Sequence, residues 1–126
     1  GGFLIDDSYN ANPESVQAAI NFLATRPGKR IFVFGDMADL GKYAAEFHSA
    51  VGDYARDSGI DAMLTLGRLS ANASKRFNGH HFSSLDALRN YLLSFKDTSE
   101  TTFLVKGSRS SSMEKVVHMI ESREIF

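Results

Sequence analysis

No cysteine occurs among the 126 residues of this chain, so neither a disulfide framework nor a thiolate metal site can organise it. A run of about 18 apolar residues is also missing, and no membrane span is expected. Charge is not biased to one sign. Fourteen Lys and Arg stand against fifteen Asp and Glu, with a net charge of −1. Without a basic stripe, nucleic acid is not expected as the main partner. There is no charged-then-apolar leader and hence no visible secretory signal. Together with the lack of cysteine, this fits a cytoplasmic location. Two phosphate-binding signatures are absent too. No G-x-G-x-x-G follows the first apolar run, and the G-x-x-x-x-G-K-[ST] spacing of a P-loop does not occur.

What is present is an alternation of strand-like and helix-like runs. The chain is 43% hydrophobic, enough for a core within the single domain that this length predicts. FLIDD (3–7) reads as a first strand. PESVQAAINFLAT follows with Val16, Ala19, Ile20 and Leu23 at helical spacing, and Pro13 suits a first helical turn. RIFVFGD (30–36) is a continuous apolar run, as in a strand buried on both faces. DMADLGKYAAEF leads into a helix striped by Phe47, Val51 and Tyr54 and closed near Gly59. AMLTLG is a third strand, RLSANASKRF a short helix, and HHF a brief strand. SSLDALRNYLLSF is a helix capped by Ser83 or Ser84, with Leu85, Leu88, Leu92 and Phe95 inward. TTFLVKG is the last strand. SRSSSMEKVVHMIES is the last helix, buried through Met113, Val116, Val117 and Ile120. The predicted fold is an α/β, three-layer, Rossmann-like domain over residues 1–126. Its sheet is mostly parallel, of five to six strands, with helices on both faces.

Ligands of open α/β sheets bind beyond the carboxyl ends of the strands. Three such ends are polar here: Asp6-Asp7 with Tyr9 and Asn10, then Gly35-Asp36, then Lys106-Gly107-Ser108-Arg109. In KGSRSSS, the hydroxyls of Ser108, Ser110 and Ser111 and a helix start could hold a phosphate or carboxylate. Arg109 could grip a carboxylate through two hydrogen bonds. The same serines could equally cap the last helix. Asp36 could accept from sugar hydroxyls or serve as a cap. Ser8, Asn10 and Asn12 could line a ligand or satisfy a turn. Tyr9 is an aromatic in a polar loop, with no evident core role. His48, His80, His81 and His118 form no metal constellation, and no Ser-His-Asp arrangement is visible.

DDSYNANPESV, VFGDMADLG, His48 with VG at 51–52, GID at 59–61 and LVKGSRSSSMEKVV together resemble the carboxy-terminal domain of the Mur ligases. The likeness runs through essentially the whole chain. Within that family, DDSYNANP with KGSRS is similar to the branch that adds D-alanyl-D-alanine. Asp39 stands where Glu is more usual.

The resemblance implies an ATP-dependent ligase of peptidoglycan precursor synthesis. ATP would phosphorylate a carboxylate of UDP-MurNAc-tripeptide, and the amine of D-alanyl-D-alanine would attack the acyl phosphate. Mg²⁺ would neutralise the phosphates, on ligands of a central domain that this chain lacks, as it lacks the UDP-sugar domain. By the same resemblance, Asp7 meets the ATP ribose. Tyr9, Asn10, Asn12 and Asp36 line the nucleotide side, and Lys106, Ser108 and Arg109 face the dipeptide. No catalytic residue and no metal ligand is expected within the chain, and the isolated domain is expected to be inactive. The alternative is a stand-alone α/β module that binds a nucleotide or small acid.

Overall fold

The computed structural model describes residues 2–122, so Gly1 and residues 123–126 of the expected 1–126 domain lie outside the described residues. Among the described residues, five strands form one sheet: β1 (Phe3–Asp7), β2 (Lys29–Gly35), β3 (Ala62–Leu66), β4 (His80–Phe82) and β5 (Thr101–Lys106). Their order is β1-β5-β2-β3-β4, and every pairing is parallel. The sheet thus has the lower of the two strand numbers expected and is wholly parallel.

Helices α1 (Pro13–Ala24), α2 (Ala44–Asp57) and α3 (Ala71–Phe77) cover one face, and α4 (Leu85–Leu93) and α5 (Glu114–Glu121) the other. Right-handed crossovers place α1–α3 and α4 on opposite faces, and α5 packs on the α4 side. The chain steps one way from β1 to β4, then returns across the sheet to β5. Side chains alternate along the central strands. Phe32 and Phe34 therefore join the α1–α3 core, while Ile31 and Val33 join the α4–α5 core. Each large side chain buried in this way stabilises the fold by roughly 1.5–3 kcal/mol.

Sequence spacing located the buried faces of α1 and α5 correctly: Val16, Ala19, Ile20 and Leu23, and Met113, Val116, Val117 and Ile120, are all buried. Helix α2 differs. Its inward face is His48, Val51, Gly52 and Ala55, whereas Phe47 is 41% exposed. The stripe is rotated because Gly52 lets α2 approach α3 closely: a Cβ there would lie 2.9 Å from the Arg76 Cβ.

The last helix begins later than expected. Residues Arg109–Ser111 form a single 3₁₀ turn, Ser112 takes a left-handed conformation with φ 57°, and α5 starts only at Glu114. The serines therefore do not present a helix N-terminus to a ligand. The Ser111 hydroxyl donates back to the Ser108 carbonyl at 2.6 Å, and Ser108 and Ser110 share a hydrogen bond of 2.9 Å. Local side-chain bonding of this kind competes with helix.

Candidate functional site

At one edge of the sheet, neighbouring strands send their following helices to opposite faces. β1 leads into α1 on one face, and adjacent β5 leads towards α5 on the other. A crevice opens at such a switch point. Asp6, Asp7, Ser8, Tyr9, Arg109 and Glu114 line a cleft there of ≈ 400 Å³. Tyr9 is 73% exposed. The Arg109 guanidinium lies 5.4 Å from its ring centroid, with Nη1 at a long 3.5 Å from the phenol oxygen. A cation resting on an exposed ring is held loosely and remains available to an anion. The cleft thus offers an aromatic face, a cation and carboxylate acceptors, a combination suited to a nucleotide or a small zwitterion.

Lys106 is placed differently from Arg109. In the parallel register it stands beside Asp7 on β1 and Phe34 on β2. Its side chain is only 2% exposed, and Nζ lies 3.1 Å from Asp7 Oδ2. It also donates to the Asn10 carbonyl at 2.8 Å. Its apolar stem continues the Leu104 and Phe34 side of the sheet, as long amphipathic chains do. The ammonium therefore sits beneath the β1–α1 loop, and Asp7, at 45% exposure, stands above it.

The amides of that loop have local partners. Asn10 Oδ1 accepts from the Ala11 N–H at 2.9 Å. Asn12 caps α1 in a reciprocal box: its Oδ1 accepts from the Ser15 N–H at 2.8 Å, and Ser15 Oγ accepts from the Asn12 N–H at 3.0 Å. On the near side, Ser8 donates to Asp6 Oδ1 through both its N–H and its hydroxyl.

Asp36 stands outside the β1–β5 cleft. Its carboxylate accepts from the Ser70 N–H at 2.7 Å and the Leu69 N–H at 3.1 Å, so it holds the turn that starts α3. Its carbonyl accepts from the Ser108 N–H at 2.9 Å, which ties the β2 and β5 loops together. The two loops approach closely there, since a Cβ on Gly107 would lie 3.3 Å from the Gly35 Cα. Of the eight sequence-predicted site residues, the structure brings Asp7, Tyr9 and Arg109 into one cleft. Lys106 is buried next to it and donates to the Asn10 carbonyl, and Asn12, Asp36 and Ser108 support the surrounding loops.

A second hollow, of ≈ 420 Å³, lies at the carboxyl ends of β2 and β3 and includes Met37, Asp39, Lys42 and Arg68. The fully buried His48 holds the loop that lines it. Nε2 accepts from the Met37 N–H at 2.9 Å, and Nδ1 lies 2.7 Å from the Ala44 carbonyl. The ring therefore carries its proton on Nδ1 and pins both ends of the β2–α2 loop. The sequence reading left His48 without this role, because a helical histidine gives no sign of the loop it will meet.

The family described as Mur ligase, glutamate ligase domain, matches residues 1–109. The chain belongs to that family. Among Mur ligases, the UDP-N-acetylmuramoyl-tripeptide--D-alanyl-D-alanine ligase of Escherichia coli is 44% identical over 120 residues, 94% of this chain and 26% of that protein. The same-named ligase of Buchnera aphidicola subsp. Acyrthosiphon pisum is also 44% identical, over 90% of this chain and 26% of its own length. The MurF ligase of Thermotoga maritima, solved in complex with ADP, superposes with a TM-score of 0.79 at 27% identity, over 96% of this chain and 28% of that one. The chain thus spans about a quarter of the length of the curated relatives it matches.

Proposed function

We propose that this chain is the carboxy-terminal domain of an ATP-dependent ligase that joins D-alanyl-D-alanine to UDP-MurNAc-tripeptide. The observation that carries the reading is the β1–β5 cleft, in which Asp7, Tyr9 and Arg109 converge, in a chain 44% identical to a ligase named for that reaction. Asp7 accepts from the ribose hydroxyls of ATP, and the exposed Tyr9 ring borders the nucleotide. Asn10, Asn12 and Asp36 hold the loops on the nucleotide side. Arg109, on the turn stabilised by Ser108, pairs with the carboxylate of the dipeptide.

The chemistry itself needs groups from further domains. A P-loop domain would deliver the γ-phosphoryl group to the tripeptide carboxylate, and the dipeptide amine would displace phosphate from the acyl phosphate. A third domain would hold the UDP-sugar. Closing this domain over the nucleotide would exclude water from the acyl phosphate. Among the described residues, no three acidic or histidine side chains gather into a cation site. Mg²⁺ would accompany the ATP phosphates on the P-loop domain. Among the described residues, no helix is long and apolar enough to cross a membrane, and the reading places the protein in the bacterial cytoplasm.

The test is phosphate release by the full-length protein. Release should require ATP, the UDP-tripeptide and D-alanyl-D-alanine together. Release unaffected by leaving out the dipeptide would reject the substrate assignment. Arg109→Ala should raise the KM for D-alanyl-D-alanine about tenfold or more, as expected for a lost charged hydrogen bond worth ~1.5–3 kcal/mol, with the KM for ATP little changed.

A further inference from the structure

We infer that Lys106 is a positioning residue for the nucleotide side of the cleft and makes no direct contact with either substrate. The inference deepens the proposed function and rests on Asp7 meeting the ribose. It begins from burial. A lysine that is 2% exposed cannot reach a ligand in the cleft without leaving its site. Its two partners are also both on the β1 side: the Asp7 carboxylate at 3.1 Å and the Asn10 carbonyl at 2.8 Å. One ammonium therefore links the last residue of β1 to the loop that carries Tyr9.

The pairing has a reason in the topology. Asp7 and Lys106 are register partners on adjacent parallel strands, so their side chains leave the sheet on the same face. Asp7 is nearly half exposed and, without a partner, would be free to choose among rotamers. Lys106 fixes Oδ2 from below and leaves the outer part of the carboxylate turned to the cleft. Arg109, three residues along the chain, is exposed and provides the cation that can meet an anion. The two basic residues of KGSR thus divide the work. Lys106 orients an acceptor on the nucleotide side, and Arg109 binds on the side open to the dipeptide.

Two sets of measurements test this, using Lys106→Met, Asp7→Asn and the double variant. The first uses NMR on this chain without ligand. The buried ammonium of Lys106 should give a resolved Nζ resonance that moves in Asp7→Asn, and Lys106→Met should shift the amides of residues 8–12. An Nζ resonance unmoved by Asp7→Asn would overturn the strut. The second uses steady-state kinetics of the full-length ligase. Lys106→Met should raise the KM for ATP about tenfold and leave that for D-alanyl-D-alanine within about twofold, and the double variant should be no worse than Asp7→Asn alone. Additive effects on ATP, or an effect confined to the dipeptide, would make Lys106 a direct ligand and overturn the inference. If Lys106→Met does not fold, Asp7→Asn alone decides through the Nζ resonance. A wild-type enzyme without dipeptide-dependent turnover would sink the functional reading while the NMR result still judged the strut.

Discussion

His48 and Asp36 owe their importance to the backbone groups they bind. Met37 is 1% exposed, and its N–H has the His48 ring as its acceptor. Replacing His48 by Ala should cost about 1–3 kcal/mol, the range for orphaning a buried donor, plus lost packing. Denaturant unfolding of the variant would measure it, and an unchanged midpoint would show that water replaces the ring. Asp36 anchors two amides at the start of α3. Asp36→Ala should destabilise by about 1–2 kcal/mol, as losing a good cap does. If Asp36 also touches the nucleotide directly, ATP affinity in the full-length enzyme should fall by more than this stability change explains.

Helix α1 illustrates how an element is specified. Pro13 at the first turn, the Asn12–Ser15 capping box and four buried apolar residues at helical spacing all favour the same twelve residues. Asn12→Ala should therefore cost only about 1 kcal/mol, measurable as a lower melting temperature with the fold retained. Helices α2 and α3 pack closely at Gly52 and are also joined by an ion pair at the surface. Arg76 meets Asp53 through two contacts of 2.9 Å. Its hydrogen bonds hold the Asp53 carboxyl below 3.8. A depressed carboxylate contributes stability above its unfolded value and loses it as pH falls through the folded one. Acid below about pH 4 should thus loosen α2 from α3, and salt should act in the same direction. Amide exchange at the α2–α3 contact, compared with Asp53→Asn, would show this. Equal acid sensitivity in the variant would assign the loss to other groups.

At the scale of the molecule, one chain reversal builds the cleft. Because the chain travels outward through β2, β3 and β4 before returning to β5, the first and last strands become neighbours. The cleft between them joins residues about a hundred positions apart, Tyr9 and Arg109 among them. The loops above the sheet pack closely there. A Cβ on Gly35 would come 2.5 Å from the Met113 side chain, so Gly35→Ala should displace the β5–α5 turn. The expected cost is about 1–3 kcal/mol and, on the proposed function, a weaker response of the Arg109 amide to D-alanyl-D-alanine in NMR titration. A normal response would mean that the turn tolerates the shift. On the proposed function, the isolated chain should show no ligase turnover, since the P-loop is supplied elsewhere.

The sequence alone determined the alternation of strands and helices, the parallel sheet and the inward faces of α1 and α5, because these follow from local periodicity and capping chemistry. It also marked Asp7, Tyr9 and Arg109 as polar or aromatic residues where a strand ends. Which charges open onto the cleft was set by packing. Lys106 and Arg109 read alike in KGSR, yet one is buried against Asp7 and the other lies open over Tyr9. Likewise Asp36 found backbone amides from the β3–α3 turn, more than thirty residues away, and His48 found the loop before its own helix. Such partners are set by strand order and by the face a side chain leaves from, which no local pattern records.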